Sequence, residues 1–204
     1  MAHYFSTEPD APSHRRTVHL TLPEGRLELV TDSGVFAADT VDPGTRVLLD
    51  EAPAPPQGPV TLADVGCGYG PIAVTLARRS PAATVWAVDV NTRALELCRE
   101  NAAAAGVGDR VVVATPDEVP DELVVDGIWS NPPIRIGKPA LHELLETWLT
   151  RLRPGATAHL VVHKHLGSDS LARWLAEHDH PTVRLISRRG YRILAVTAPA
   201  PDAP

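Results

Sequence analysis

The stretch "SNPPIRIGK" (130–138) sets an asparagine before two adjacent prolines. Proline has no backbone N–H and a fixed φ, so the pair can neither extend a central strand nor enter a helix interior. At its simplest the dipeptide is a strand exit. Chemically, Asn131 and Pro132 present two carbonyl oxygens on a backbone that Pro133 stiffens. Two fixed acceptors can take both N–H bonds of a conjugated amine and turn its lone pair toward an electrophile. Such an amine needs no strong base if the electrophile is already activated.

A second group lies upstream. "ADVGCGYGP" (63–71) leaves an apolar strand and opens a helix, with glycines at 66, 68 and 70. Glycine there permits positive φ and close approach of a ligand to the backbone. The dinucleotide fingerprint would place its third glycine at 71, which is Pro71, a residue suited to the first position of a helix. Asp64 precedes the loop, and Asp89 ends the next strand in "VWAVDVN". A carboxylate at that tip can accept both hydroxyls of a ribose and disfavours a phosphate. The pairing suits the nucleoside end of S-adenosylmethionine better than NAD. The plain alternative is packing and helix capping, for which Asn91 is better placed than Asp89. Cys67 needs only to be small within the loop, and Cys98 reads as helix packing.

Composition bounds the rest. The chain has 204 residues, 44% of them hydrophobic and 22% charged, which suits one globular domain. Two cysteines are too few for a disulfide framework, and the start "MAHYFSTEPD" shows no signal peptide. No apolar run is long enough for a membrane span, so a cytoplasmic protein is expected. The net charge of −6 is uneven: residues 130–195 carry ten Lys or Arg against five Asp or Glu, a balance of +5. That asymmetry points to an anionic partner or to solvated surface charge. The pairs His163/His165 and His178/His180 have no cysteine or carboxylate at ligand spacing, so no metal is expected. Trp129, Trp148 and Trp174 read as core, and Tyr191 as a pocket or hairpin residue.

The elements that must position these residues follow from periodicity. "TVHLTL" and "RLELVT" flank "PEG" as a hairpin, and "RVLLDEA" forms a short helix. From residue 60, strands and helices alternate: "VTLADV", "IAVTLARR", "ATVWAVDV", "TRALELCRENAAAA", "RVVVAT" and "VDGIWS". In "ALHELLETWLTRL", Leu141, Leu144, Leu145, Trp148, Leu149 and Leu152 share one helical face, and Pro154-Gly155 ends it. "ATAHLVVH", "SLARWLAEH", "TVRLIS" and "YRILAVTA" complete the pattern. The fold class is therefore α/β: a Rossmann-like, doubly wound, mostly parallel seven-stranded sheet with one antiparallel strand and a small N-terminal β extension. Residues 1–51 form the hairpin and pocket cover of that single domain, 52–59 a Pro-rich linker, 60–198 the core and 199–204 a disordered tail.

The segment from Asp64 to Gly70, then Asp89, then Asn131-Pro132-Pro133-Ile134, resembles the motifs of class I S-adenosylmethionine-dependent methyltransferases that modify planar nitrogens. The wider pattern, with "HYFS", "TDSGVFAADTVDPGT", "NPPIRIGKPALHELL" and "GYRILAV", resembles the small-subunit ribosomal RNA guanine-N2 methyltransferases and their single-domain, archaeal-type relatives. The resemblance implies that Asp64, Gly66, Cys67, Gly68 and Gly70 surround the methionine end of the cofactor. Asp89 would hold the ribose and Val90 would lie beside the adenine, while Thr115 and Pro116 sit where such proteins contact that ring. The usual polar-acidic pair is displaced here to Asp117 and Glu118. Phe36 would help close the pocket. Asn131, Pro132, Pro133 and Ile134 form the transfer site, and Asn131 also borders the cofactor. Ile134 stands where an aromatic ring usually stacks on a flipped base.

These readings imply N-methylation, with an exocyclic guanine N2 of ribosomal RNA as acceptor. Arg135, Lys138, Lys164 and Arg192 would grip substrate phosphates. A protein glutamine, a small molecule, or a non-catalytic cofactor- or RNA-binding module of the same fold are the alternatives. Oligomeric state is not legible.

Overall fold

The structure, a computed structural model, describes residues 11–200; "HYFS" and the last four residues of the tail lie outside it. β1 (Arg16–Leu22) and β2 (Gly25–Thr31) pair antiparallel, with Leu22 opposite Gly25 across a two-residue turn. Alternation sends Val18, Leu20, Leu22, Leu27 and Leu29 to one buried face. A run of turns leads to α1 (Pro43–Glu51), whose first residue is proline and whose N-cap is Asp42. That start obeys the local rules: proline at N1 lacks an N–H the helix could not use, and the aspartate accepts two that it leaves free.

The alternating units then build one sheet. They are β3 (Thr61–Val65), α2 (Pro71–Arg79), β4 (Thr84–Val88), α3 (Thr92–Ala104), β5 (Val111–Ala114), β6 (Val125–Ser130), α4 (Lys138–Leu149), β7 (Leu152–His163), α5 (Ser168–Glu177), β8 (Thr182–Arg188) and β9 (Tyr191–Thr197). The seven strands lie in the order β5-β4-β3-β6-β7-β9-β8. Only β9 runs against the others, pairing antiparallel with β7 and β8. From β3 the chain winds outward through β4 and β5, then returns to place β6 on the other side. The switch point between β3 and β6 is where a doubly wound sheet opens its ligand crevice. One apolar core gathers the hairpin, α1, α2 and α3 around Leu20, Leu48, Leu76 and Leu95. The other gathers α4 and α5 around Leu145, Trp148, Leu160 and Leu175.

The leucine stripe expected to run through Leu152 is cut earlier. α4 stops at Leu149, and Leu152 opens β7 opposite Val125. It is buried in the same core as the stripe, so the apolar period outlives the helix that began it. Pro154 and Gly155 lie inside β7 rather than before it. Gly127 faces Thr157, so residues 153–156 bulge out opposite Asp126 alone. A proline that cannot donate and a glycine at φ +79° make that bulge possible. Asp126 accepts from Thr61 N at 2.8 Å and from Arg153 Nε at 2.7 Å.

The N-terminal hairpin is fastened to the sheet domain by buried amides. Asn101 on α3 accepts from Val30 N at 2.7 Å and donates to Val30 O and to Tyr69 O, both at 2.8 Å. One buried side chain thus ties β2 to the glycine loop. Arg93 donates to the carbonyls of Ala11 and Ser33. The Pro-rich stretch is also held: Pro55 is buried, Ser80 Oγ donates to Pro56 O, and Gln57 Nε2 donates to Arg79 O. Among the described residues, no helix is long and apolar enough to cross a membrane.

Asn101→Ala removes three hydrogen bonds at a site 1% exposed. Each buried polar group left alone costs about 1–3 kcal/mol, so urea unfolding should show a loss of roughly 3 kcal/mol. The far-UV spectrum at low denaturant should be unchanged.

Candidate functional site

The site begins with register. Asp64 on β3 faces Ala87 on β4 and Trp129 on β6. Two residues further, Gly66, Asp89 and Asn131 come level at the ends of three neighbouring strands. Ser130 Oγ donates to Val65 O at 2.5 Å and locks the last rung. A Cβ placed on Gly66 would stand 3.5 Å from Pro133 and 3.9 Å from Asn131 O, so the two loops lie against each other.

Between these tips lies a cavity of about 550 Å³. It is lined by Phe36, Ala37, Asp42, Gly66, Gly68, Asp89, Val90, Asn91, Pro116 and the whole of Asn131–Arg135, together with Leu144, Trp148, His163, Leu166 and Tyr191. Gly66, Gly68 and Gly70 all have positive φ, at +75°, +54° and +91°. A Cβ on Gly68 would meet nothing within 4 Å, whereas one on Gly70 would fall 2.6 Å from Cys98 Sγ. The first glycines therefore leave room on the cavity side, and the third serves packing between loop and helix. Phe36 and Val90 are 45% and 40% exposed, and both face this cavity. They give the cavity exposed apolar surface.

Asp89 is held from both sides. Its Oδ2 accepts from Gly68 N at 2.9 Å and its Oδ1 from Asn91 N at 2.9 Å. Helix capping falls to Asn91, whose Oδ1 accepts from Ala94 N. Burial raises the Asp89 carboxyl, and hydrogen bonds from Asn91, Gly68 and Val90 offset part of that rise. Both oxygens keep a lone pair that can accept a hydroxyl. Asp64 lies below the loop rather than in the cavity wall. Its Oδ2 accepts from Ala73 N at 2.9 Å, while Oδ1 is buried without a partner among the described residues. Desolvation holds its carboxyl well above the usual carboxylate range.

Asn131 shows a fixed amide. Its Nδ2 donates to Asp42 Oδ1 at 2.8 Å and to Thr45 Oγ1 at 3.1 Å. Both hydrogens of the amide are spent, and Oδ1 is left without a protein partner among the described residues. The Pro132 carbonyl accepts from Ile134 N at 2.8 Å in a tight turn, which fixes its direction and leaves one lone pair. Ile134 to Ile136 then form a 3-10 turn. His163 meets the Tyr191 ring edge-on at 4.8 Å.

Not every residue singled out by sequence reaches this cavity. Cys67, Gly70 and Thr115 do not line it. Cys67 is buried, and desolvation together with the neighbouring Cys98 thiol pushes its thiol up. Thr115 caps the 3-10 turn at 116–118: Glu118 Oε2 accepts from its N at 2.8 Å and from its Oγ1 at 3.1 Å. Of the cations, Arg135 lines the cavity, and exposed Lys138 and Lys164 flank it in sequence. Arg192 is turned away, bonded to Asp169 and Ser168. Among the described residues, no three His, Cys, Asp or Glu could share a metal. Asp42, Asn91, Trp148 and His163 were not singled out as site residues by sequence. The available signal for Asp42 was the capping pattern Asp-Pro at a helix start.

Comparison with known proteins identifies the family and the fold. The methyltransferase small-domain family model matches residues 26–195. YbxB of Bacillus subtilis, described as uncharacterized, is 33% identical over 196 residues, 94% of this chain and 96% of its own. Ribosomal RNA small subunit methyltransferase C of Pseudomonas aeruginosa is 34% identical over 191 residues, 91% of this chain but 55% of its own. The chain thus spans about half the length of that relative. The T. thermophilus 16S rRNA N2 G1207 methyltransferase, solved with AdoMet and guanosine, superposes with a TM-score of 0.78 over 93% of this chain and 52% of its own. At 23% identity that likeness is one of fold.

The two glycines should separate packing from binding. Gly70→Ala meets both a sulfur and a strained φ, and should lose more than about 2 kcal/mol. Gly68→Ala, with open space around it, should lose only about 1 kcal/mol by the same denaturant titration.

Proposed function

The chain belongs to the methyltransferase small-domain family, and from that premise we propose that it transfers a methyl group from S-adenosylmethionine to guanine N2 of ribosomal RNA. The observation that carries this reading is the Asn131 amide, whose nitrogen is committed to Asp42 and Thr45 while its oxygen is free beside a cavity. An acceptor fixed in that way suits an amine that donates its N–H groups in hydrogen bonds and releases one proton as the N–C bond forms. The neighbouring Pro132 carbonyl offers the second acceptor on a backbone stiffened by Pro133. Together they would draw the lone pair out of conjugation and hold it along the line of transfer.

The residues present fit the cofactor. Gly66 and Gly68 open the wall where a side chain would intrude, Asp89 offers two oxygens for ribose hydroxyls, and Phe36 and Val90 offer apolar surface for the adenine. Asp64 would act from beneath the loop, accepting from Ala73 N and so fixing the start of α2 under Gly66 and Gly68. Pro116 would close the far side of the ring. When bound, S-adenosylmethionine supplies a sulfonium-activated methyl. Ile134 would pack against the acceptor base by apolar contact rather than by aromatic stacking. Arg135, Lys138 and Lys164 would contact phosphates at the mouth, whereas Arg192 holds α5 to the sheet through Asp169 and Ser168.

Asn131→Ala should lower methyl transfer by about two orders of magnitude while cofactor affinity stays nearly constant. Asp89→Ala should do the reverse at the first step, weakening cofactor binding in a calorimetric titration. Tritium transfer from labelled cofactor onto fractionated small subunits, total protein and metabolites tests the reading itself. Label recovered in protein or metabolites but not in RNA would reject it. If three cations contact single-stranded phosphates, the log–log salt dependence of RNA binding should have a slope of about −2. Replacing Arg135, Lys138 and Lys164 by alanine together should flatten it.

A further inference from the structure

We propose that Asp42 is the positioning residue of the transfer site: its carboxylate selects the one orientation of the Asn131 amide that leaves the oxygen facing the cavity. The inference rests on the methyl-transfer reading of that site, but the orientation itself can be tested without it. Three donors converge on a single oxygen. Asp42 Oδ1 accepts from Gly44 N at 2.7 Å, from Thr45 N at 3.0 Å and from Asn131 Nδ2 at 2.8 Å. The second amide hydrogen goes to Thr45 Oγ1 at 3.1 Å.

A carboxylate oxygen can only accept. An Asn131 amide turned by half a rotation would set its own oxygen against Asp42 Oδ1, and its NH₂ would then face the cavity. That inverted amide would offer donors to an amine that needs acceptors. The carboxylate therefore decides the polarity of the site, although it lies on a different element from Asn131.

Asp42 is itself held still. It is the N-cap of α1, and the two backbone N–H groups from which it accepts fix its side chain independently of Asn131. Gly44 makes the approach possible. A Cβ there would lie 2.7 Å from the Tyr191 ring and 2.8 Å from Asp42 Oδ1. Thr45, 4% exposed, brings the second acceptor from the next residue of the same helix turn. The short sequence "DPGT" thus builds a helix start and an amide clamp from the same atoms.

The test uses Asp42→Ser, Asp42→Asn and Thr45→Val in the full chain. Serine caps a helix as well as aspartate does but is too short to reach Asn131. Asparagine keeps an acceptor oxygen in place and removes the charge. Asp42→Ser should melt within a few degrees of the parent, bind S-adenosylmethionine within about twofold, and lose at least about tenfold in kcat. Asp42→Asn should restore kcat to within about threefold of the parent, and Thr45→Val should fall between them. In ¹⁵N-labelled protein, the Asn131 side-chain NH₂ pair, identified by its loss in Asn131→Ala, should exchange with solvent slowly in the parent and faster in Asp42→Ser. Thr45→Val keeps the cap and gives the same reading if Asp42→Ser does not fold. Undiminished kcat with unchanged amide exchange in these variants would overturn the proposal. So would an Asp42→Asn variant as impaired as Asp42→Ser, which would show that the charge is needed rather than the acceptor. If the parent protein methylates no RNA, the reading of the site fails, and the amide exchange alone still decides the role of Asp42.

Discussion

The site depends on the hydrogen-bonded register of three parallel strands. With Asp64 opposite Ala87 and Trp129, the chain leaves β3, β4 and β6 at one level, and Gly66, Asp89 and Asn131 emerge side by side. A slip of one residue in either ladder would turn each side chain to the other face of the sheet and bury the wrong partner. The register is therefore held by packing on both faces. Gly127 illustrates how tightly: a Cβ there would meet the Trp129 ring at 2.8 Å, and that ring in turn stacks on buried His159 at 4.8 Å. The site inherits its precision from these core contacts, none of which touches the cavity.

At the level where the ladder ends, backbone groups lose their strand partners, and short polar side chains replace them. Asp89 takes the amide of Gly68, Asn91 caps α3 and donates to Gly34 O, and Asp42 caps α1 while receiving Asn131. Each is a capping residue by type and holds a cavity loop at the same time. A buried polar group must be paired, so the N-cap residues Asn91 and Asp42 also hold the loops that line the cavity. This economy explains why the N-terminal segment, remote in sequence from the glycine loop, forms part of the cavity wall rather than an appendage. Asn101 does the same from α3, joining β2 to the Tyr69 carbonyl.

Much of the architecture was legible along the chain, because a doubly wound sheet writes itself in local periods. "VDGIWS" is β6 to the residue, and the hairpin, α3 and the single antiparallel strand lie where alternation and turn residues put them. The error at Leu152 has a local cause: a buried strand residue can continue a helical stripe when the helix and the next strand face one core. The glycine loop, Asp89 and Asn131 were legible as residue types suited to a nucleoside and an amine. Their adjacency was an inference from strand order.

What the sequence determined by itself was therefore the set of elements and the chemistry of their tips, since both follow from nearest-neighbour rules of backbone conformation and from side-chain type. Tertiary structure alone decided which of those tips share a wall and which way each polar group points. Asp42 and Asn131 are 89 residues apart, and only folding puts a carboxylate against that amide. The same holds for Arg192, whose charge was visible in sequence while its commitment to Asp169 was not. Hydrogen-bond direction depends on partners that no local window contains. It is also the quantity on which the use of an acceptor depends.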